Sequence, residues 1–345
     1  TGEYVLDIHS ASHFNPLFDN RKLEWSDQFS EYIIGDKKLP RLGWGHEIAG
    51  EVTPEAEIET GLKAGTPVTI GTIDAISEAI SVGVLHPGDL MMMYGTTTFF
   101  VLVTDEYTPS ETMWLTAFAF PGLYDVEAGM ATSGALTRWF RDNFARKEKA
   151  EQEAGSSSAY AILTREAEEI PPGSEGLVIL PYFSGERTPL NDPKARGVIA
   201  GLSMAHNRGH LYRAILEAQA YGAAHIMETM RAAGAKSKRA VAVGGGTKSE
   251  LLLQIVTDIT GIEQELPEKT IGACYGNAFL AGLGTDLLAF EDLEKNWVRI
   301  AKRFVPDAAS KGIYEEFYQI YKDLYPHTKE DMHKLAKLGM KAQNT

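Results

Sequence analysis

Cysteine is almost absent from the 345-residue chain: Cys274 stands alone. A lone cysteine excludes an intrachain disulfide framework and any cysteine-rich zinc centre. Positive charge is in the minority, with 33 Lys and Arg against 47 Asp and Glu for a formal charge of −14, and it nowhere forms a block. Phosphate backbones are held by clustered Lys and Arg, so nucleic acid is excluded as the main partner. Long apolar runs are missing too. A membrane-spanning helix needs about 18 or more apolar residues, and the best stretch, Met91 to Val103, is broken by Gly95 and by Thr96, Thr97 and Thr98. The first residues lack the layout of a secretory signal. No Gly-x-Ser-x-Gly elbow supports a serine hydrolase, and no segment repeats at a period of about 20–50 residues. The reading left is an acidic cytoplasmic protein that handles small molecules.

What is present is an ordinary globular composition, 44% hydrophobic and 23% charged. At about 150 residues per domain the length predicts two domains. The first sixty residues are loop-rich, punctuated by Trp25, Pro40, Trp44 and Pro54. Val68 to Asp74 reads as a β-rich run, followed by a helical pattern from Ala75 to Val82. Pro87-Gly88-Asp89 is a turn and the expected domain boundary, dividing the chain into residues 1–86 and 87–345. Beyond it, Leu90 to Tyr94, Thr98 to Val103 and Met113 to Phe120 read as strands, and Ser133 to Phe144 as a helix. Arg146 to Ser158 reads as a polar connector. A long helix over His210 to Met230 precedes a strand at Ala240 to Val243, and helices follow over Ser249 to Thr260 and Tyr275 to Leu283. Two amphipathic helices, near 308–324 and 328–341, close the chain. Strands alternating with helices predict an α/β layered fold.

Several short patterns carry chemistry. Gly244-Gly245-Gly246 stands between a strand and a helix start, where free backbone N–H groups and the helix dipole suit a phosphate or nucleotide; a tight turn requiring close packing gives the same residues. The pattern is neither a Walker A loop nor Gly-x-Gly-x-x-Gly. Gly95-Thr96-Thr97-Thr98 offers amides and hydroxyls to terminal phosphates, or is a plain hairpin turn. Asp74 could take a proton from a substrate hydroxyl at the carboxyl edge of a sheet, or cap the following helix. Two His-x3-His pairs, His9/His13 and His206/His210, have metal-ligand spacing only on a helix. Neither has a third ligand beside it in the sequence, so both read as structural or surface residues.

In combination these segments resemble the FGGY family of carbohydrate kinases, and within it the xylulose-kinase branch. The most specific match is Gly197-Val198-Ile199-Ala200-Gly201-Leu202, seven residues, then His210-Leu211-Tyr212-Arg213-Ala214-Ile215-Leu216-Glu217. Pro181-Tyr182-Phe183-Ser184-Gly185-Glu186-Arg187-Thr188-Pro189 is similar to the preceding loop of that branch. Gly65 to Gly83, Gly95 to Thr97, Gly244 to Ser249 with Asp258, and Gly272 to Gly282 follow in family order.

The resemblance implies an actin-like ATPase fold, two ribonuclease-H-like domains with a cleft between them. It implies ATP with Mg²⁺ as cofactors and a small-molecule sugar as substrate, with D-xylulose expected and ribulose or glycerol as alternatives. It makes Asp74 the catalytic base, Gly95, Thr96 and Thr97 a phosphate loop, and Gly245, Gly246 and Ser249 part of an adenosine motif. Cys274, near that pocket, is expected to serve small-residue packing. The C-terminal helices could support a homodimer of the kind relatives often form. Family chains also begin with an Asp-x-Gly-Thr phosphate loop, and none occurs before residue 60. Residues 1–86 are therefore expected to be the second half of an incomplete first domain, and this chain alone to show little or no kinase activity. A non-catalytic nucleotide-binding module is the alternative from another class.

Overall fold

The computed structural model describes residues 1–35, 37–155 and 158–343. Its centre is a seven-stranded sheet built from β1 (Asp89–Tyr94), β2 (Thr98–Thr104), β3 (Trp114–Ala117), β4 (Tyr124–Met130), β5 (Arg239–Val243), β6 (Gln264–Pro267) and β7 (Ile300–Phe304). The spatial order is β7-β6-β5-β1-β2-β4-β3. β1, β5 and β6 run parallel to one another, while β2, β3, β4 and β7 pair in antiparallel fashion. Side chains alternate across a strand, and β1 shows what that does here. Leu90, Met92 and Tyr94 enter one buried cluster and Met91 the other. Both faces are apolar because both are covered.

The first face is covered by α2 (Gly134–Phe144), α3 (Arg208–Ala232) and α4 (Glu250–Thr260). α3 is buried almost all round, including Arg213 and Glu217. Those two charges are tolerated because they are paired and saturated. Arg213 Nε donates to Glu217 at 2.9 Å, and Ser174 Oγ donates to the same carboxylate at 2.7 Å. The second face is covered by α1 (Asp74–Ser81) and α5 (Ala273–Gly284), through Ile76, Ala79, Ile80, Phe279 and Leu280. These helices touch closely enough that a Cβ at Gly276 would lie 1.8 Å from the Ser77 carbonyl oxygen. Ser77 Oγ also donates to Asn277 Oδ1 at 2.8 Å. The helix preceding the expected boundary thus packs on the sheet that follows it.

Residues 1–73 are built from smaller pieces. Val5–Asp7 pairs in parallel with Arg41–Gly43, and Ile48–Glu51 pairs with Pro67–Thr69. Their cluster of buried residues is Ile8, Ala11 and Phe18, completed by Ala117 of β3.

Several elements differ from expectation. β4 was not anticipated, since its acidic residues interrupt the apolar pattern. The polar stretch after Phe144 contains a helix, Arg146–Glu153, with no buried residue and with ion pairs along its surface. The two expected C-terminal helices are one, α6 (Lys311–Gln343), which carries Pro326 inside it. Among the described residues no helix is long and apolar enough to cross a membrane.

Candidate functional site

Parallel pairing of β1 with β5 sets Val243 against Met93. The two glycine-rich loops that follow these strands therefore leave the sheet side by side, at the carboxyl edge where open α/β sheets bind ligands. The contact is intimate. Gly244 has φ +89°, and a Cβ there would stand 2.8 Å from the Tyr94 carbonyl oxygen; at Gly246 it would stand 2.7 Å from Tyr94 Cβ. Gly244 and Gly246 are thus required for close approach, whereas Gly245 faces open space. Tyr94 is itself fixed by donating its hydroxyl to Gln264 of β6 at 2.5 Å.

Gly95, Thr96 and Thr97 form the hairpin turn between β1 and β2. Its carbonyls face the start of α2: Gly134 N donates to Gly95 O at 3.1 Å and Ala135 N to Thr96 O at 3.0 Å. A buried relay locks the base of the turn to α3. Thr98 Oγ1 donates to Ser133 Oγ at 2.7 Å, which donates to Gln219 Oε1 at 2.7 Å. With its carbonyls so engaged, the turn leaves the amides of Thr96 and Thr97 without a backbone acceptor among the described residues, and Thr96 is exposed. Free amides and a hydroxyl at a sheet edge form a cradle for an anion. The hairpin and phosphate readings of this turn are therefore compatible. Ser133, Gly134 and Gln219 escaped the sequence reading; the Ser-Gly pair before an apolar run was the available signal.

Asp74 lies at the start of α1, on the helix that α5 holds against the sheet. Ile73, in extended conformation, occupies the cap, so the cap reading of Asp74 is not what the fold uses. Its carboxylate is exposed and accepts the adjacent amide of Ala75 at 2.8 Å. The same carboxylate reaches Glu78, whose pKa is raised first by burial and then by the Asp74 charge.

Other sequence candidates sit elsewhere. Ser249 caps α4, accepting from Leu252 N at 3.3 Å, so its hydroxyl already has a structural partner. Asp258 is near the far end of α4, accepting from Asp307 N at 2.9 Å and Gln254 Nε2 at 2.7 Å, away from the glycine loops. Cys274 is exposed, which corrects the expectation that it packs. His206 and His210 bind the 175 region: His210 Nε2 is 3.1 Å from Glu175 Oε2. His9 is buried and meets a third potential ligand, Glu127 of β4, which corrects the reading of that pair as isolated.

The loops at the sheet edge fit phosphate oxygens. A Mg²⁺ here would be held through those oxygens and water with one or two carboxylates at most; among the described residues, the one cluster of three His, Cys, Asp or Glu side chains close enough to share an ion, His9, His13 and Glu127, lies elsewhere.

Comparison with known proteins agrees with this architecture. The sequence models of the FGGY family of carbohydrate kinases match residues 90–285 with the C-terminal domain and residues 1–81 with the N-terminal domain. A xylulose kinase of Bacillus subtilis is 31% identical over 335 residues, covering 96% of this chain and 65% of that protein. A ribulokinase of Bacillus licheniformis is 28% identical over 305 residues, covering 86% of this chain and 55% of that protein. Among solved structures, xylulose kinase from Rhodospirillum rubrum superposes with a TM-score of 0.87 at 30% identity, over 96% of this chain and 66% of that one. The chain spans two thirds or less of the length of these relatives. Its fold is that of the actin-like ATPases. With paired glycine loops at the carboxyl edge of such a sheet, and both domain models matched in order along one sequence, the chain belongs to the FGGY family of carbohydrate kinases.

Proposed function

We propose that the chain forms the nucleotide-binding part and half of the sugar-binding part of an ATP-dependent kinase for a ketopentose, converting D-xylulose to D-xylulose 5-phosphate. The observation that carries this reading is the β1–β5 pairing, which sets the Gly95–Thr97 turn beside Gly244–Gly246. In this reading the amides of Thr96 and Thr97 and the Thr96 hydroxyl receive the terminal phosphates. Gly245, open on its Cα side, lies against the nucleoside. Ser249 keeps its capping role and lies at the margin of the nucleoside pocket. Residues 1–86 and 87–345 are the two working units, with Asp74 carried on the helix that joins them.

Asp74 acts as general base. It accepts the proton of the sugar hydroxyl as that oxygen attacks the γ-phosphorus and the bond to ADP breaks. Phosphoryl transfer of this kind depends on positioning and charge stabilisation. Both are served by a rigid sheet edge and by a carboxylate exposed at the start of a helix. Mg²⁺ supplies charge neutralisation on the phosphates when it arrives with ATP. A cytoplasmic location fits a chain that meets both ATP and free sugars. D-Xylulose is preferred over ribulose on the xylulose-kinase form of the Pro181–Pro189 loop and on the first relative's name.

The test is ADP release from MgATP by this chain with D-xylulose, ribulose and glycerol, beside direct measurement of ATP binding. ATP binding with release specific to D-xylulose supports the whole reading. ATP binding without turnover supports the nucleotide half and places the remaining catalytic groups on another segment. A folded chain that binds no ATP overturns it.

A further inference from the structure

We propose that His9, His13 and Glu127 form a binding site for a divalent transition-metal ion of the zinc class, distinct from the phosphate edge. The three side chains come from both units of the molecule. His9 lies in the short Ile8–Ala11 helix, His13 just beyond it, and Glu127 in the middle of β4. His9 Nε2 and His13 Nε2 are 3.3 Å apart. The Glu127 oxygens stand 3.8 Å from His9 Nε2 and 3.9 Å from His13 Nε2. For an ion about 2.0–2.1 Å from each nitrogen, tetrahedral angles put neighbouring donors about 3.3 Å apart. The imidazole pair has that separation already, and a small rotation of the Glu127 carboxylate completes the set.

The surroundings orient the donors. His9 Nδ1 lies 2.8 Å from the Ala117 carbonyl oxygen and 3.5 Å from Asp125 Oδ1. A ring nitrogen against a backbone carbonyl carries a proton, so in the neutral imidazole the lone pair is on Nε2, toward His13 and Glu127. This is the outer-shell arrangement that fixes metal-binding histidines. Asp125 is held by Thr116 Oγ1, which donates to its Oδ1 at 2.9 Å.

The independent sign of a ligand is an unmet need. Glu127 is 3% exposed, yet its Oε1 has no hydrogen-bond partner, and Oδ2 of the fully buried Asp125 is also unpartnered. Carboxylate oxygens buried without a partner are destabilising unless something compensates them. A dication among two neutral imidazoles, Glu127 and the nearby Asp125 balances the charge. His13 is partly exposed, so solvent reaches the site and can fill the remaining coordination position. Two imidazoles select zinc, cobalt or nickel over magnesium. The bound ion would clip the first unit to the sheet at its β3 edge.

The experiment is titration of the chain with Zn²⁺ and Co²⁺ in excess Mg²⁺, followed by calorimetry and by the visible spectrum of the cobalt form. One equivalent is expected to bind, with the absorption of four- or five-coordinate Co²⁺ and a raised melting temperature. His13→Ala, at a partly exposed position, and Glu127→Gln are each expected to weaken binding at least tenfold. His206→Ala is expected to leave it unchanged. A protonated His9 held between Asp125 and Glu127 would give the same geometry without an ion. In that case the folded chain binds neither metal and the proposal fails. It fails equally if His13→Ala and Glu127→Gln both bind as the parent does, or if His206→Ala abolishes binding.

Discussion

Residues 1–73 and the seven-stranded sheet use a similar alphabet and are held together differently. In the first region the Asp27–Ile34 and Pro54–Thr60 helices bury no residue, and Tyr32 and Ile58 are each 86% exposed. In the sheet, Leu90, Met91, Met92, Phe100 and Val101 are fully buried. Apolar residues do not make a core by themselves; they need a surface wide enough to cover on both sides. The sheet supplies two such faces. Strands of two to four residues supply none, and the first region takes its order from the sheet's edge, through Ser12, His9 and Asn20 against β3. The lesson is that the regions are unequal partners: one is a scaffold and the other is seated on it.

Asp74 lies where they meet, and replacing it gives the largest expected effect. Asp74→Asn, in a form of the protein that turns over, is expected to lower kcat by about 10²–10⁴-fold with ATP affinity nearly unchanged. Retained kcat in steady-state assays would remove Asp74 from the base role and leave the junction purely structural. The inequality itself is tested by Phe100→Ala against Tyr32→Ala. The first is expected to cost about 3–5 kcal/mol in denaturant unfolding, the second no more than about 0.5 kcal/mol. Similar costs would show that the first region has a core of its own.

Gly276→Ala probes the seam between α1 and α5. Its added methyl meets the Ser77 carbonyl, and the expected destabilisation is about 1–3 kcal/mol, read as a shift in the denaturant midpoint. A neutral result would mean that the seam is loose. The last comparison concerns pH. Burial pushes Glu186 up to about 7, against hydrogen bonds from Ala131 and Arg187 amides that pull it down. A folded value raised above the ordinary 4.5 means that the folded state holds this proton more tightly. The contribution is full below pH 4.5 and is lost as pH rises through about 7. Glu186→Gln keeps an acceptor for both amides and is expected to flatten that slope in midpoints measured across the window. An unchanged slope would assign it to another group.

The alternation of strands and helices was legible because β1, β2 and β5 are short apolar runs bounded by glycine, threonine or proline turns. β4 was not, because Asp125 and Glu127 are polar residues whose burial depends on Thr116 and on the first region, and local pattern holds no record of either. α6 was divided in the reading because proline breaks helices locally, yet the chain continues through Pro326 while Tyr314, Tyr321 and Met332 anchor it on the core. Each site loop was visible on its own. Their adjacency was not, since it rests on pairing between distant strands. The same holds for Glu127 beside His9, where helical spacing named two histidines and tertiary structure brought the third side chain.

The pairing of β1 with β5 also sets a timetable. Partners in that ladder are about 150 residues apart in the chain, and loops of that span close late and slowly. A ribosome releases β1 and its hairpin partner β2 long before β5 exists. During that interval the methionine-rich strand presents an open edge and two uncovered apolar faces, the condition under which nascent chains associate wrongly. Synthesis must pass Val243 before the glycine loops can meet, so the edge that would receive a nucleotide is among the last features of the molecule to take shape.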